Sequence, residues 1–385
     1  MAAQFNESTI EEATLSWSQE LGYEYLPGPD IAPGEPATER DSFGDVVLVE
    51  RLRTAIDRLN QDIPTEAREE ALRKVLRPES PSLIANNRAF HGMLRDGVPV
   101  EYSRKDGSIA GDHVWLVDYE NPDSNDWLVV NQFTIQDSQS HRRLDVVVFV
   151  NGLPLTVIEL KDLKNEEATI DDAHQQIGTY KAEFPSLFTY NELCVISDGI
   201  SARLGSMTAG IEWFKPWPTI DDEQPVKGIL ELEILIRGVF APARFLPLVR
   251  DFILFEDDPD SDSVYKILAG YHQFHAARKA ITATVEATRT DGNRQCGVVW
   301  HTQGSGKSLT MLFYSGLVVS HSQMNNPTLV VLTDRNDLDD QLFGQFQRCS
   351  DVLRQKPVQA ESVEQLRAAQ SLAVARFHAR RCGYL

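Results

Sequence analysis

The sequence predicts an α/β protein with more than one folded domain. Three patterns lead to this prediction: strand-like apolar runs from about residue 113 to 160, a helix–strand–helix succession from 166 to 237, and a strand–helix–strand succession from 297 to 332. The last succession, at this spacing, is typical of a βαβ unit in a parallel sheet. The 385 residues, 42% of them hydrophobic, provide material for two or three domains and exclude disorder of the whole chain.

Composition also bounds the function. The chain has 57 acidic and 37 basic residues and a formal charge of -20, which argues against a nucleic-acid partner unless the basic residues are gathered in a patch. No apolar run is long enough for a membrane span, and the N-terminus lacks the features of a signal peptide, so we expect a cytoplasmic protein without a membrane partner. The cysteines have no metal-binding spacing and are expected to be reduced thiols. They are Cys194, Cys296, Cys349 and Cys382.

Changes in composition divide the chain into four segments. An amphipathic repeat, proline-rich and acidic stretches, and the βαβ pattern set the boundaries. The predicted segments are an N-terminal arm at 1–40, a first domain at 41–254, an acidic linker at 255–263 and a second domain at 264–385. The predicted helices are 8–21, 45–60, 66–76, 166–184, 228–237, 264–284 and 307–320. The predicted strands lie within 113–160 and at 192–197, 297–300 and 328–332.

The first candidate site lies in the segment LDVVVFVNGLPLTVIELK, which is two apolar strands joined by Asn151-Gly152, a strong hairpin signal. The first strand carries Asp145, and the second carries Glu159 and Lys161. Charged side chains in an apolar hairpin are costly unless they are paired or bind a metal. An odd-length connection would place Asp145 opposite Glu159 on one face, whereas a strict two-residue turn would place them on opposite faces.

On one face, the two carboxylates could hold Mg²⁺ through oxygen ligands, and Lys161 could orient a water or stabilise charge on a phosphate. The alternative is a structural ion pair at the margin of the sheet. Fifteen residues further on, Gln176 and Tyr180 are four apart on one face of a predicted helix, from which both could orient a phosphate or a metal-bound water.

The second candidate site is WHTQGSGKS, which follows a predicted strand and opens a predicted helix. This is the context of a phosphate-binding loop, although His301 stands where the general pattern has glycine. Backbone N–H groups of the loop would wrap a nucleotide phosphate, Lys307 would reach the β and γ phosphates, and Ser308 would hold Mg²⁺. The predicted nucleotide-binding residues of the loop are Thr302, Gly304, Ser305, Gly306, Lys307 and Ser308.

With these residues in hand, the chain resembles, from about Glu20 to Leu366, the N-terminal part of the R (restriction, motor) subunit of type I restriction-modification enzymes. The hairpin looks like the family's PD-(D/E)xK nuclease motif, QIGTY matches its Q-x-x-x-Y motif, and WHTQGSGKS is similar to helicase motif I of superfamily 2. Gln273 is placed like the family's adenine-contacting glutamine, and LTDRNDLDDQL resembles helicase motif Ia. The resemblance implies a restriction-endonuclease-like domain followed by an incomplete RecA-like P-loop domain with a parallel sheet.

The resemblance also implies an activity. It implies Mg²⁺-dependent cleavage of unmethylated double-stranded DNA at Asp145, Glu159 and Lys161, coupled to ATP-driven translocation in a complex with methyltransferase and specificity subunits. No apolar strand ending in Asp-Glu follows the loop, and AVARFHARRCGYL looks like a shifted reading frame, so we expect a truncated subunit whose ATPase is incomplete. The alternatives are a nucleotide-binding or scaffold protein with structural acids, and an inert fragment that binds partners.

Overall fold

A computed structural model describes residues 7–104, 106–137, 139–161, 169–221, 224–333, 336–360 and 362–368. The chain forms two compact units, which are described separately. The first comprises Met1–Ile253 and Val264–Tyr271, and the second comprises Leu254–Ser263 and His272–Leu385. No described helix is long and apolar enough to cross a membrane.

The first unit contains both helices and strands. Its helices are α1 (Glu7–Glu20), α2 (Val49–Leu59), α3 (Thr65–Leu76), α4 (Leu83–Asp96), α5 (Ile170–Glu183), α6 (Pro185–Phe188), α7 (Glu231–Val239) and α8 (Pro242–Asp251). Its first strands are β1 (Glu24–Pro27), β2 (Val98–Ser103), β3 (Ile109–Val114), β4 (Trp127–Asp137), β5 (Ser140–Val150), β6 (Leu153–Leu160), β7 (Leu193–Ser197) and β8 (Ala202–Gly205). Strand β9 (Ile253–Asp257) overlaps the start of the acidic stretch, and strand β10 (Val264–Leu268) follows it. Helices α9 (Tyr271–Thr288), α10 (Lys307–Ser320) and α11 (Asn336–Arg348) follow.

A six-stranded mixed sheet forms the core of the first unit. Its strand order is β1-β4-β5-β6-β7-β8, with β1/β4 and β6/β7 parallel and the other neighbours antiparallel. Every residue of β6 is buried, as expected for a central strand that is covered on both faces. Strands β2 and β3 form a separate antiparallel pair. The predicted α/β class is therefore confirmed.

Most predicted elements of the first unit are present. Several of the helices and strands that the sequence patterns miss contain proline or glycine, which disfavours regular secondary structure. Strand β2 includes Pro99 and helix α8 includes Pro247, residues that weaken both sequence signals. Residues 24–27 of the predicted arm form β1 at the edge of the sheet, parallel to β4. Directly after β1, Gly28 comes so near β4 that an added Cβ would lie 2.6 Å from the carbonyl oxygen of Asn131.

A buried charged cluster ties distant parts of the first unit together. The ammonium of Lys266 on β10 donates hydrogen bonds to the side chain of Glu192 at 2.7 Å and to that of Asn87 on α4 at 3.0 Å. His91 of α4 lies 3.0 Å from the same carboxylate oxygen of Glu192. Burial alone would raise the pKa of Glu192, but Lys266 and His91 hold it below its ordinary value. The cluster fixes β10 and α4 to the start of β7, because separating its charges would leave them buried without a partner.

The acidic stretch and its flanks differ from the prediction. We expected residues 255–263 to be too charged to pack, but Phe255 is buried and belongs to β9. The helix predicted from residue 264 begins at Tyr271, because residues 264–268 form strand β10. Each of these strands is only five residues long, ILFED and VYKIL, and over so few residues the apolar pattern does not distinguish a strand from a helix.

The second unit contains the predicted helix at 307–320, which is α10, packed against α9. Ile281 and Val285 of α9 form a small buried cluster with Val318 of α10, and the hydroxyl groups of Thr284 and Tyr314 lie 2.7 Å apart. This packing places the first turn of α9 beside the loop that precedes α10.

The prediction of two strands in the second unit was wrong. Neither 297–300 nor 328–332 is a strand in the structure. A parallel strand needs neighbours to bond with and cover on both faces. Instead, Val298, Trp300 and Leu332 are 93%, 82% and 83% exposed. The apolar pattern of the sequence indicates strands, but the described part of this unit does not assemble them into a sheet.

Candidate functional site

A β-bulge decides the geometry of the first site. The connection between β5 and β6 is the strict two-residue turn, with Asn151 and Gly152 at φ 51° and 79°, and Val150 pairs with Leu153. Of the two connections that the sequence leaves open, the structure has the two-residue turn, which by itself would put Asp145 and Glu159 on opposite faces.

The bulge restores the arrangement that the turn alone would prevent. Phe149 pairs with Pro154, but Val148 pairs with Thr156, so that Leu155 is an extra residue in β6. Beyond the bulge, the pairing of β5 with β6 continues as far as Val146, which lies opposite Ile158. Continued by one residue, it brings Asp145 opposite Glu159 on a single face of the sheet.

Contacts among the charged groups hold this end of the hairpin together. Asp145 accepts a hydrogen bond from the backbone N–H of Leu160 at 2.8 Å through its Oδ2 atom, and Lys161 Nζ lies 2.6 Å from Glu159 Oε1. Both carboxylates are buried, whereas the side chain of Lys161 is 23% exposed. The backbone N–H of Lys161 donates to Ser197 of β7 at 2.9 Å, which fixes the end of β6. The Lys161 ammonium therefore pairs with the buried carboxylate of Glu159, which lies across the strands from the buried carboxylate of Asp145.

Helix α5 places Gln176 and Tyr180 next to this pair of carboxylates. Burial raises the pKa of Tyr180 far above its ordinary range, and Glu159, Asp145 and a hydrogen bond to Glu159 raise it further. A hydrogen bond with Gln176 acts in the opposite direction. The Tyr180 hydroxyl therefore stays protonated beside the carboxylate of Glu159, and Gln176 lies next to that hydroxyl.

The residues present suit a magnesium ion better than a metal that needs a full protein cage. No group of three or more His, Cys, Asp or Glu side chains able to hold a metal occurs within the described ranges. Mg²⁺ usually binds through one or two carboxylates, keeps several waters and takes oxygen atoms from a substrate phosphate. Asp145 and Glu159 provide such a pair of carboxylates.

The predicted phosphate loop lies in the second unit. Gly304 and Gly306 have φ values of 79° and 73°, and α10 begins at Lys307 directly after Gly306. Ser305 donates a hydrogen bond from its hydroxyl to the carbonyl oxygen of Thr302 at 2.8 Å, which closes the loop. The first N–H groups of a helix have no partner within it, and together with the helix dipole they favour an anion at this end. Lys307 is exposed and Ser308 is half-buried beside it.

The first turn of α9 supports this loop. The side-chain amide of Gln273 donates to the carbonyl oxygen of Gly306 at 3.1 Å, and the Nε2 atom of His272 lies 3.0 Å from that of Ser305. Contact of Gln273 with an adenine base stays a prediction. Burial, His272 and Lys307 lower the pKa of His301, whose ring lies against that of His272. The sequence patterns miss His272, and its only signal is its position next to Gln273.

The sequence near the first site also offers Arg142, Arg143 and Lys164 as basic residues that could contact DNA, and Lys164 lies outside the described residues, within 162–168. Asp334 and Arg335, in the segment resembling helicase motif Ia, are also undescribed. The final segment that looked like a shifted reading frame belongs to 369–385, which is likewise undescribed.

Facing carboxylates beside a lysine on a mixed sheet, with a phosphate loop in a second unit, are typical of enzymes that act on phosphate esters and use nucleotides. Comparison with known proteins agrees with this class. Residues 4–213 match the family model "Type I restriction enzyme R protein N terminus", and residues 272–376 match "SWI2/SNF2 ATPase". The chain therefore belongs to the type I restriction enzyme R protein family.

Individual relatives carry corresponding names. A type I restriction enzyme endonuclease subunit from Haemophilus influenzae is 42% identical over 366 residues, which cover 94% of this chain and 34% of that protein. A putative type I restriction enzyme endonuclease subunit from Methanocaldococcus jannaschii is 32% identical over 369 residues, covering 90% of this chain and 34% of that protein. The chain spans about a third of the length of these relatives.

Proposed function

We propose that this chain carries the nuclease of a type I restriction-modification enzyme and cleaves phosphodiester bonds of unmethylated double-stranded DNA. The observation that carries the proposal is the facing of Asp145 and Glu159 next to Lys161. In this proposal the first unit is a restriction-endonuclease-like domain, and the second belongs to a RecA-like lobe that binds ATP.

Each residue of the first site has a role in the proposed reaction. Asp145 and Glu159 would hold Mg²⁺, which when bound would lower the pKa of a water and stabilise charge on the phosphate. Lys161, released from its pairing with Glu159, would donate to the attacking water or to the phosphate and offset charge that develops there. Tyr180 would donate to Glu159 and keep that carboxylate oriented, and Gln176 would contact the Tyr180 hydroxyl.

The second site would supply the coupling to ATP. The loop from Thr302 to Gly306 and the N-terminus of α10 would bind the nucleotide phosphates, Lys307 would contact them, and Ser308 would hold their Mg²⁺. Gln273 would contact the adenine. Methyltransferase and specificity subunits would select the DNA, and ATP-driven translocation would belong to the complete enzyme.

The test compares Lys161→Ala with Lys307→Ala in the chain assembled with methyltransferase and specificity subunits. We expect Lys161→Ala to abolish cleavage of unmethylated plasmid DNA with Mg²⁺ and ATP while ATP binding is unchanged. Lys307→Ala should lose ATP binding, and cleavage with it. Unchanged cleavage in Lys161→Ala would mean that the charged hairpin is structural, and cleavage that persists in Lys307→Ala would contradict the coupling to ATP.

A further inference from the structure

The ribbon of β4 and β5 extends beyond the first site. Strand β6 ends at Leu160, whereas β5 starts at Ser140 and stays paired with β4 from there, with Asp137 opposite Ser140 at the tip. The part of β5 before Leu144 therefore has β4 on one side and no β6 residue opposite it on the other. This projecting end leads directly into the strand that carries Asp145.

The two faces of the projecting ribbon differ. Side chains alternate along a strand, so Arg143 and His141 lie on the face of Asp145, and Arg142 lies on the other face. Arg143 pairs with Thr134, and His141 pairs with Gln136. No acidic residue other than Asp145 occupies this face in the described part of the ribbon, although the whole chain carries a formal charge of -20.

Arg142 and Arg143 also differ in whether their guanidinium groups are paired with a carboxylate. Arg142 is engaged, because its guanidinium lies 2.9 Å from the carboxylate of Glu183 on α5. Arg143 is exposed, and no ion pair or side-chain hydrogen bond joins it to another residue of the described ranges. A guanidinium in this state can bind a phosphate without first breaking an ion pair.

The spacing also suits a nucleic-acid strand. Two residues of a β-strand span about 7 Å, so Arg143 is one such step from Asp145 and His141 is two steps away. A DNA strand advances about 3.4 Å along its axis per phosphate. Arg143 would therefore meet the backbone within one or two phosphates of the one at Asp145, and His141 would meet it further along.

We propose that this face of the β4–β5 ribbon binds the backbone of the DNA strand that is to be cut, through Arg143 and then His141. The inference rests on the proposed function, because it takes DNA as the substrate. Both side chains would contact phosphates outside the reacting one, so they position the substrate and do not take part in bond breaking. Arg142, on the opposite face, has no such role.

The test uses the full chain with a short DNA duplex in EDTA, so that binding is measured without cleavage. We expect Arg143→Ala to weaken binding about three- to fivefold, in the range of an exposed ion pair. It should also lower the slope of log affinity against log salt by about 1, as for one lost phosphate contact. Adding His141→Ala should weaken binding further. Arg142→Ala is the matched control and should bind like the unaltered chain.

Cleavage by the assembled enzyme separates this inference from the proposed function. Arg143→Ala should raise KM for DNA with little change in kcat, whereas Lys161→Ala should abolish kcat. An unchanged salt slope in Arg143→Ala, or an equal loss in Arg142→Ala, overturns the inference and leaves the catalytic assignment standing. A changed salt slope together with full cleavage by Lys161→Ala supports the ribbon as a DNA surface and overturns the catalytic assignment. Absence of DNA binding by the unaltered chain overturns the inference, whereas the catalytic assignment is decided by cleavage in the assembled enzyme.

Discussion

At the scale of single residues, Tyr180 is the contact between helix α5 and the carboxylate pair. Its raised pKa has burial as the main cause, and the nearby carboxylates add to it. A phenol in such surroundings stays protonated throughout the neutral range. Tyr180 can therefore act only as a hydrogen-bond donor to Glu159, and not as a base.

Replacing Tyr180 by phenylalanine removes that donor and little else. A hydrogen bond to a charged group contributes about 1.5–3 kcal/mol, so we expect Tyr180→Phe to slow DNA cleavage by about ten- to a hundredfold. The measurement is the single-turnover cleavage rate of the assembled enzyme at saturating DNA.

A second buried tyrosine of the same unit provides the control. Tyr190 donates to the carbonyl oxygen of Val75 at 3.2 Å, and burial raises its pKa to about 12. Tyr190→Phe should lower the free energy of unfolding by about 1 kcal/mol without slowing cleavage. If both variants slow cleavage equally, the effect of Tyr180→Phe reflects stability and not the hydrogen bond to Glu159.

At the scale of elements, the turn and bulge of the β5–β6 hairpin act together. Gly152 has a φ of 79°, and a Cβ added there would lie 2.4 Å from the carbonyl oxygen of Leu48. The backbone N–H of Leu48 in turn donates to the carbonyl oxygen of Gly152 at 2.9 Å. The turn is thus held against the segment that enters α2.

We expect Gly152→Ala to destabilise the chain by more than backbone strain alone, which costs about 1–2 kcal/mol. The matched control is Gly107→Ala, because Gly107 has a similar φ of 83° but nothing within 4 Å of the added Cβ. Urea denaturation followed by circular dichroism gives both free energies of unfolding. Equal losses in the two variants would show that the contact with Leu48 adds nothing.

The hairpin also shows how far the sequence predicts the site. The apolar runs and Asn151-Gly152 predict both strands and the turn, because strand and turn preferences are local. The bulge at Leu155 is not predictable in this way, because it depends on how a buried strand fits its neighbours. Because the bulge is not visible in the sequence, the sequence alone leaves open whether Asp145 and Glu159 share a face.

In the second unit, the sequence predicts one helix correctly but also predicts two strands that the structure does not contain. Helix α10 lies at its predicted position because the loop glycines and the helix start are local signals. Residues 297–300 and 328–332 have strand composition, but a strand also needs pairing partners that are distant in the sequence. Strand propensity is therefore visible in the sequence where no sheet forms among the described residues.

At the scale of the whole molecule, the two units differ in how their apolar residues are covered. In the first unit, strand β6 is buried throughout. In the second, Val298, Trp300 and Leu332 are largely exposed, and the buried cluster of Ile281, Val285 and Val318 is small. Because burial of apolar surface is the main source of stability, we expect the second unit to open before the first.

Each unit contains a buried cysteine that can report this difference. Burial raises the pKa of Cys194 in the first unit and of Cys349 in the second to about 12, so neither should react with a thiol reagent at pH 8 in the folded chain. Cys296 is exposed and should react at once. Cys382 lies outside the described residues, and peptide mapping by mass spectrometry distinguishes the four.

Pulsed labelling across a urea series should therefore give two transitions. We expect Cys349 to become reactive at a lower urea concentration than Cys194, because the second unit has less apolar surface buried. ATP with Mg²⁺ should raise the midpoint for Cys349 and leave that for Cys194 unchanged, since a ligand stabilises only the unit that binds it when the units unfold independently. Lys307→Ala removes the proposed phosphate contact and should abolish the shift. Coincident transitions that move together with ATP would mean that the two units unfold as one cooperative structure.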